Sequence, residues 1–131
     1  MRILIVPTVR EVYSNQFEFS VDYRLVNFFE KLFYNSKVEI YSNSINNKYD
    51  LVVFAGGNNS LSKNDADKRR NKLNNQVYKF ALKNKIYLIG ICHGAHFLAK
   101  KNNFGLKKKK NEIRNHDVYF KFNNLSFKKK V

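Results

Sequence analysis

The sequence predicts an α/β fold: a three-layer α/β/α sandwich around a mostly parallel sheet. Three observations predict it. Short runs at residues 2–7, 51–55 and 86–91 are almost wholly apolar, as in strands covered on both faces. Between them lie segments with apolar residues at helical spacing. Glycines gather where two of the runs end, at Gly56–Gly57 and at Gly90 and Gly94. Strands alternating with amphipathic helices imply parallel pairing with right-handed crossovers. In such sheets ligands bind at the carboxyl ends of the strands.

The elements follow in order. "RILIVP", residues 2–7, has the length and branching of a buried strand. "VDYRLVNFFEKLFYN" places Val21, Leu25, Phe28, Phe29 and Leu32 at helical spacing, with Ser20 or Asp22 available to cap the start. "KVEIYS" reads as a second strand. "YDLVVFAGG", residues 49–57, is a buried strand ending in a glycine pair. "NDADKRRNKLNNQVYKFALKNK" reads as a long helix with Leu73, Val77, Phe80 and Ala81 on one face and acids in its first turn. "IYLIGI" is the next strand and "HGAHFLAKK" opens the next helix. From Gly105 onward Val118, Phe120 and Phe122 alternate as in a hairpin or meander.

The 131 residues suit one domain, 1–131, with one core: 44% are hydrophobic and no linker interrupts the chain. The lone cysteine permits no internal disulfide, and the first apolar run is too short for a signal peptide. Without a stretch of membrane-span length, these features predict a cytoplasmic protein with no membrane partner. A net charge of +15 attracts anions. Lysine and asparagine rise together, however, as they do under a simple compositional bias. A nucleic-acid module would use the lysines at 107–110 and 128–130 with Phe120, Phe122 and Phe127 as stacking rings. No recognised nucleic-acid-binding signature accompanies them, so this is the weaker reading.

The chemistry concentrates in "LIGICHGAHFLAK", residues 88–100. Gly90-x-Cys92-x-Gly94 between a strand and a helix has the spacing of a nucleophile elbow with cysteine in place of serine. The sharp turn leaves no room for side chains on either flank. A thiol there meets the positive end of the helix dipole, which favours its nucleophilic thiolate. The N–H of His93 is placed to donate to an oxyanion, and Gly56 or Gly57 on the neighbouring strand end can supply a second donor. The competing explanation is a small buried thiol between glycines. The strand before, the helix after and the second glycine-rich strand end weigh against it. Three histidines without paired cysteines or His-x-x-x-His spacing do not predict a zinc site.

"YDLVVFAGGNNS", a charged helix and then "KIYLIGICHGAHFLA" together resemble the class I glutamine amidotransferase superfamily, nearest its gamma-glutamyl hydrolase-like branch. "TVREVYSNQFEFSVDYRLVNFF" is similar to that branch in its early arginine and its helix rich in acids and aromatics. The resemblance implies a flavodoxin-like fold. It implies that Cys92 attacks a glutamine or gamma-glutamyl amide to form a thioester, with Gly57 and His93 as the oxyanion hole and Gly56, Asn58 and His96 contacting substrate. The implied partners are a small-molecule glutamine or gamma-glutamyl substrate, phosphorylated or nucleotide-linked, and a synthetase subunit. No cofactor or metal is implied.

The chain departs from the family at two points. His96 stands where the family usually has glutamine. The family's base is a downstream histidine followed two residues later by an acid, whereas here only His116 lies downstream and Val118 takes the acid's place. The chain therefore reads as a truncated or degenerate copy, expected to be nearly inactive alone. The alternative is the PfpI-like cysteine hydrolases and stress proteins, whose elbow also reads "ICHG". That branch would use His93, with Glu11 as the acid, but this chain lacks the proline common before its glycine pair.

Overall fold

The computed structural model describes residues 1–42, 44–45, 48–57 and 65–105, and, by backbone alone, 117–122 and 125–130. Asn58, His116 and the lysines at 107–110 lie outside the described residues. In chain order the elements are β1 (Arg2–Val6), β2 (Thr8–Tyr13), β3 (Gln16–Ser20), α1 (Tyr23–Leu32), β4 (Lys37–Ile40), β5 (Leu51–Phe54), α2 (Asp65–Lys83), β6 (Tyr87–Gly90), α3 (His93–Lys101), β7 (Asp117–Phe122) and β8 (Leu125–Lys130).

Four strands form a parallel sheet in the order β4-β1-β5-β6, which is a flavodoxin-like arrangement. The two central strands explain their own composition. Leu4, Val6, Val52 and Phe54 pack with Leu73, Val77 and Ala81 of α2 and Phe97 of α3. Ile3, Ile5, Leu51 and Val53 pack on the opposite face with Phe29 of α1. Every position of β1 from Ile3 and of β5 is thus buried, so neither strand can alternate in polarity. β4 and β6 flank them and carry exposed positions, Tyr87 among them. Glu39 of β4 accepts from Tyr49, Lys37 and Arg2, and these bonds hold its carboxylate down to a pKa of about 2.

Asp22 caps α1, its carboxylate accepting from the Arg24 N–H at 2.9 Å. The buried stripe of α1 differs from the one its spacing predicts. Val21, Leu25, Val26, Phe29 and Phe33 face the sheet, whereas Phe28 and Leu32 are exposed. The α2 stripe holds as read, with Phe80 at its partly buried margin, and extends to Ala66, Arg70 and Asn74.

The strands that the sequence predicts do not include residues 8–20. The structure has an antiparallel hairpin there, β2 with β3, with Tyr13 opposite Gln16 and Asn15 at φ 64° in the turn. β3 alternates Phe17 and Phe19 with polar residues over only five positions, and the exposed part of β2 places Arg10 beside Glu11 and Val12 beside Tyr13 without alternation. The alternation after Gly105 appears as a second hairpin, β7 with β8, in which Phe120 pairs with Phe127.

Candidate active site

Register aligns the carboxyl ends of three strands, with Val6 opposite Phe54 and Phe54 opposite Gly90. The residues that follow therefore share one edge of the sheet: Thr8, the Gly56–Gly57 pair and the turn from Gly90 to Gly94.

Cys92 occupies that turn at φ 52°, ψ −108°, a backbone region that residues with a side chain rarely adopt. The turn is closed by the Ile91 N–H donating to Phe54 O at 3.0 Å and the Gly94 N–H donating to Ile91 O at 2.9 Å. Its glycines are demanded by space. A methyl group on Gly94 would overlap the Phe54 carbonyl, and one on Gly90 would stand 2.5 Å from the Gly94 carbonyl group. The result is an exposed thiol at the mouth of α3. Gly56 lies directly against it: a carbon added there would be 3.2 Å from the Cys92 Cβ. Gly57 adopts φ 96°, the left-handed region that favours glycine. The N–H groups of Gly57 and His93 have no acceptor among the described residues.

The two histidines of the turn part company. His96 is exposed on the first turn of α3, its N–H bonded to Cys92 O at 3.0 Å. His93 is 6% exposed and turns inward. Burial, and then the Arg70 guanidinium, lower its pKa to about 4, so its imidazole is neutral at pH 7. Neither Cys92 nor any carboxylate hydrogen-bonds it among the described residues, and its Nδ1 has no partner there. Glu11 sits on the exposed outer part of β2 and accepts from the Asn15 N–H at 3.1 Å. The neighbouring-base arrangement of the PfpI-like alternative is therefore not formed: its acid caps a hairpin turn, and its histidine is packed beneath the elbow.

The site residue that sequence reasoning missed is Arg70. It is 1% exposed, in α2, directly under the glycine pair. Its Nη1 donates to Thr8 Oγ1 at 2.9 Å and to Gly57 O at 2.6 Å. Its Nη2 donates to Ala55 O at 2.5 Å and to Gly56 O at 3.2 Å. Burial lowers its pKa to about 10, against the pull of negative charge at Asp67 and, when ionised, at Cys92, so it remains a cation at neutral pH. The available signal was spacing: Arg70 falls three residues before Leu73 and seven before Val77, on the buried stripe.

A cleft of about 460 Å³ opens beside this edge, floored by Gly56 and Gly57 and walled by Thr8, Arg10, Arg24 and Phe28. Phe28, displaced from the expected core, lines it. Arg24 is engaged with Asp22 at 2.7 Å, while Arg10 adds a second positive charge. Among the described residues no group of three or more His, Cys, Asp or Glu side chains could hold a metal ion, and no helix is long and apolar enough to cross a membrane.

The chain is 37% identical over 71 residues to the gamma-glutamyl-CDP-amidate hydrolase of Campylobacter jejuni subsp. jejuni serotype O:2. That stretch is 53% of this chain and 36% of the Campylobacter protein, so the chain matches about a third of the length of its curated relative. No protein-family model matches the chain. No solved structure matches it.

Proposed function

We propose that this chain carries the acyl-transfer half of a gamma-glutamyl amide hydrolase, with Cys92 as nucleophile. The observation that carries the reading is the backbone of Cys92, held in a strained strand-to-helix turn with its side chain exposed and its Cβ close to Gly56. The partial likeness to a gamma-glutamyl-CDP-amidate hydrolase supports the substrate class, and the class I glutamine amidotransferase resemblance agrees with it.

The steps follow from the geometry. The Cys92 thiolate attacks the gamma-carbonyl carbon, forming a C–S bond while the carbonyl π electrons move to oxygen. The resulting oxyanion accepts from the N–H groups of Gly57 and His93, which lack other acceptors among the described residues. Collapse breaks the C–N bond as the amine nitrogen takes a proton from solvent, and the departing amine leaves a gamma-glutamyl thioester. Hydrolysis by water, slow without a base beside the thioester, then releases glutamate and returns the proton to the thiol. The cleft over Gly56 and Gly57 holds the substrate, with Arg10 toward its anionic part, whether a glutamyl carboxylate or a phosphate on the leaving amine. The side chain of His93 takes no proton in this scheme, being neutral and inward-facing. His96 and Asn58 remain the proposed substrate contacts beside Gly56.

The test is a single-turnover reaction with gamma-glutamyl p-nitroanilide followed by mass spectrometry of the intact chain. A gamma-glutamyl adduct on Cys92, absent from Cys92→Ala, is expected. Amine release that persists in Cys92→Ala would remove this reading.

A further inference from the structure

We propose that Arg70 is the positioning residue of the oxyanion hole: its guanidinium sets the direction of the Gly57 N–H. The inference rests on the reading of that N–H as an oxyanion donor. A trans peptide is planar, with its C=O and N–H pointing opposite ways. Gly56 O and the Gly57 N–H belong to one such unit. Because Gly56 O accepts from Arg70 Nη2 beneath the loop, the Gly57 N–H points away from Arg70, toward the open edge where Cys92 stands. The Ala55 and Gly57 carbonyls are held to the same cation, so the peptide units on either side cannot turn independently.

A clamp is needed at this place in the chain. A glycine–glycine peptide has no Cβ on either side to oppose rotation, and Gly57 already sits at φ 96°. Left alone, the unit could turn over and present a carbonyl oxygen to the oxyanion. Arg70 opposes that turn because a flip would bury a guanidinium with fewer acceptors. Thr8 Oγ1 holds the same Nη1 from the β1 side, tying the loop to the start of β2. The donor is thereby aimed before substrate arrives, which is where most of the value of an oxyanion hole lies.

The experiment compares two reactions of Cys92 in the full 131-residue chain. Iodoacetamide alkylates the thiol by displacement at saturated carbon and forms no oxyanion. p-Nitrophenyl acetate acylates it through an oxyanion and needs no glutamyl recognition. For Arg70→Met the Cys92-dependent acylation burst is expected to slow by about 10²-fold, the lower end of the range seen when an oxyanion donor is lost, with alkylation within about twofold of wild type. Arg70→Lys, which keeps the charge with a single nitrogen, should recover part of the loss. Thr8→Val, which matches the original volume and removes one anchor, should slow acylation by about threefold to tenfold and keeps the test open if Arg70→Met does not fold.

Equal slowing of both reactions would make Arg70 merely structural, and an unchanged acylation rate in folded variants would overturn the proposal. Gamma-glutamyl p-nitroanilide run alongside separates the two readings. If wild type is acylated by the acetate and not by the anilide, the substrate class fails while the Arg70 result stands on the acetate.

Discussion

Gly56 and Cys92 meet so closely that a methyl group on the glycine would stand 3.2 Å from the cysteine Cβ. Contact at that distance requires the neighbour to give by a few tenths of an ångström. Gly56→Ala should therefore fold with a stability loss of about 1 kcal/mol, since the Cys92 Cβ can retreat only with its backbone. That shift carries the attacking sulfur with it. A small misplacement of the attacking atom is expected to slow acylation by about tenfold, read by stopped-flow release of p-nitroaniline. A folded variant acylating at the wild-type rate would show that the contact does not aim the nucleophile.

Two other glycines should respond differently from Gly56. Gly94→Ala drives a carbon into the Phe54 carbonyl in the centre of the sheet, where nothing can retreat. It should cost more than about 3 kcal/mol in urea unfolding, or prevent folding. Gly57→Ala meets Thr8 at ordinary to tight distances, 3.3 Å at the closest, so its cost comes mainly from φ 96° and should be about 1–3 kcal/mol. Equal losses at the two sites would mean that steric overlap does not distinguish them.

The buried imidazole of His93 predicts a pH dependence of stability. Its folded pKa is about 4, below the ordinary 6.5, so the unfolded chain binds its proton first. The contribution is present above pH 6.5, is lost as pH falls from about 6.5 to 4, and is flat below that. The full span is at most about 3 kcal/mol. Unfolding free energies measured against pH should show this slope in wild type and lose it in His93→Leu. The pH profile of Cys92 alkylation should stay where it is in His93→Asn, because the imidazole does not face the thiol. A shift of that profile would revive the neighbouring-base mechanism.

Turnover should stall after one event. No imidazole or carboxylate is hydrogen-bonded to the thiol among the described residues. Residues 1–131 should therefore release one equivalent of amine from gamma-glutamyl p-nitroanilide and hold the thioester. An added external base such as imidazole should speed release of the thioester, as general acid–base help does. Sustained cycling by the 131-residue chain would mean that a base acts from within it.

What was legible in the sequence follows burial. β1 and β5 could be read because both faces of each strand are covered, leaving only apolar residues. The elbow could be read because two close approaches, at Gly90 and Gly94, leave glycine as the fitting residue. The β2–β3 hairpin escaped because only Thr8 and Val9 of β2 are buried, and the rest lies outside the core. Arg70 escaped for a different reason. Arg69 and Arg70 are the same letter, yet one guanidinium lies over the Phe17 ring at 4.1 Å and the other anchors the glycine loop from inside. One helical step of 100° separates those environments, and residue type alone does not reveal which arginine faces in.

The backbone of Cys92 has one more consequence. At φ 52°, ψ −108° glycine is the residue that fits, and the exposed thiol contributes little packing that its loss would sacrifice. Cys92→Gly should consequently melt higher than wild type, by about 1 kcal/mol of added stability, while abolishing the reaction. The proposed nucleophile thus stands where conformational preference opposes any side chain. At this position robustness and chemistry ask for different residues.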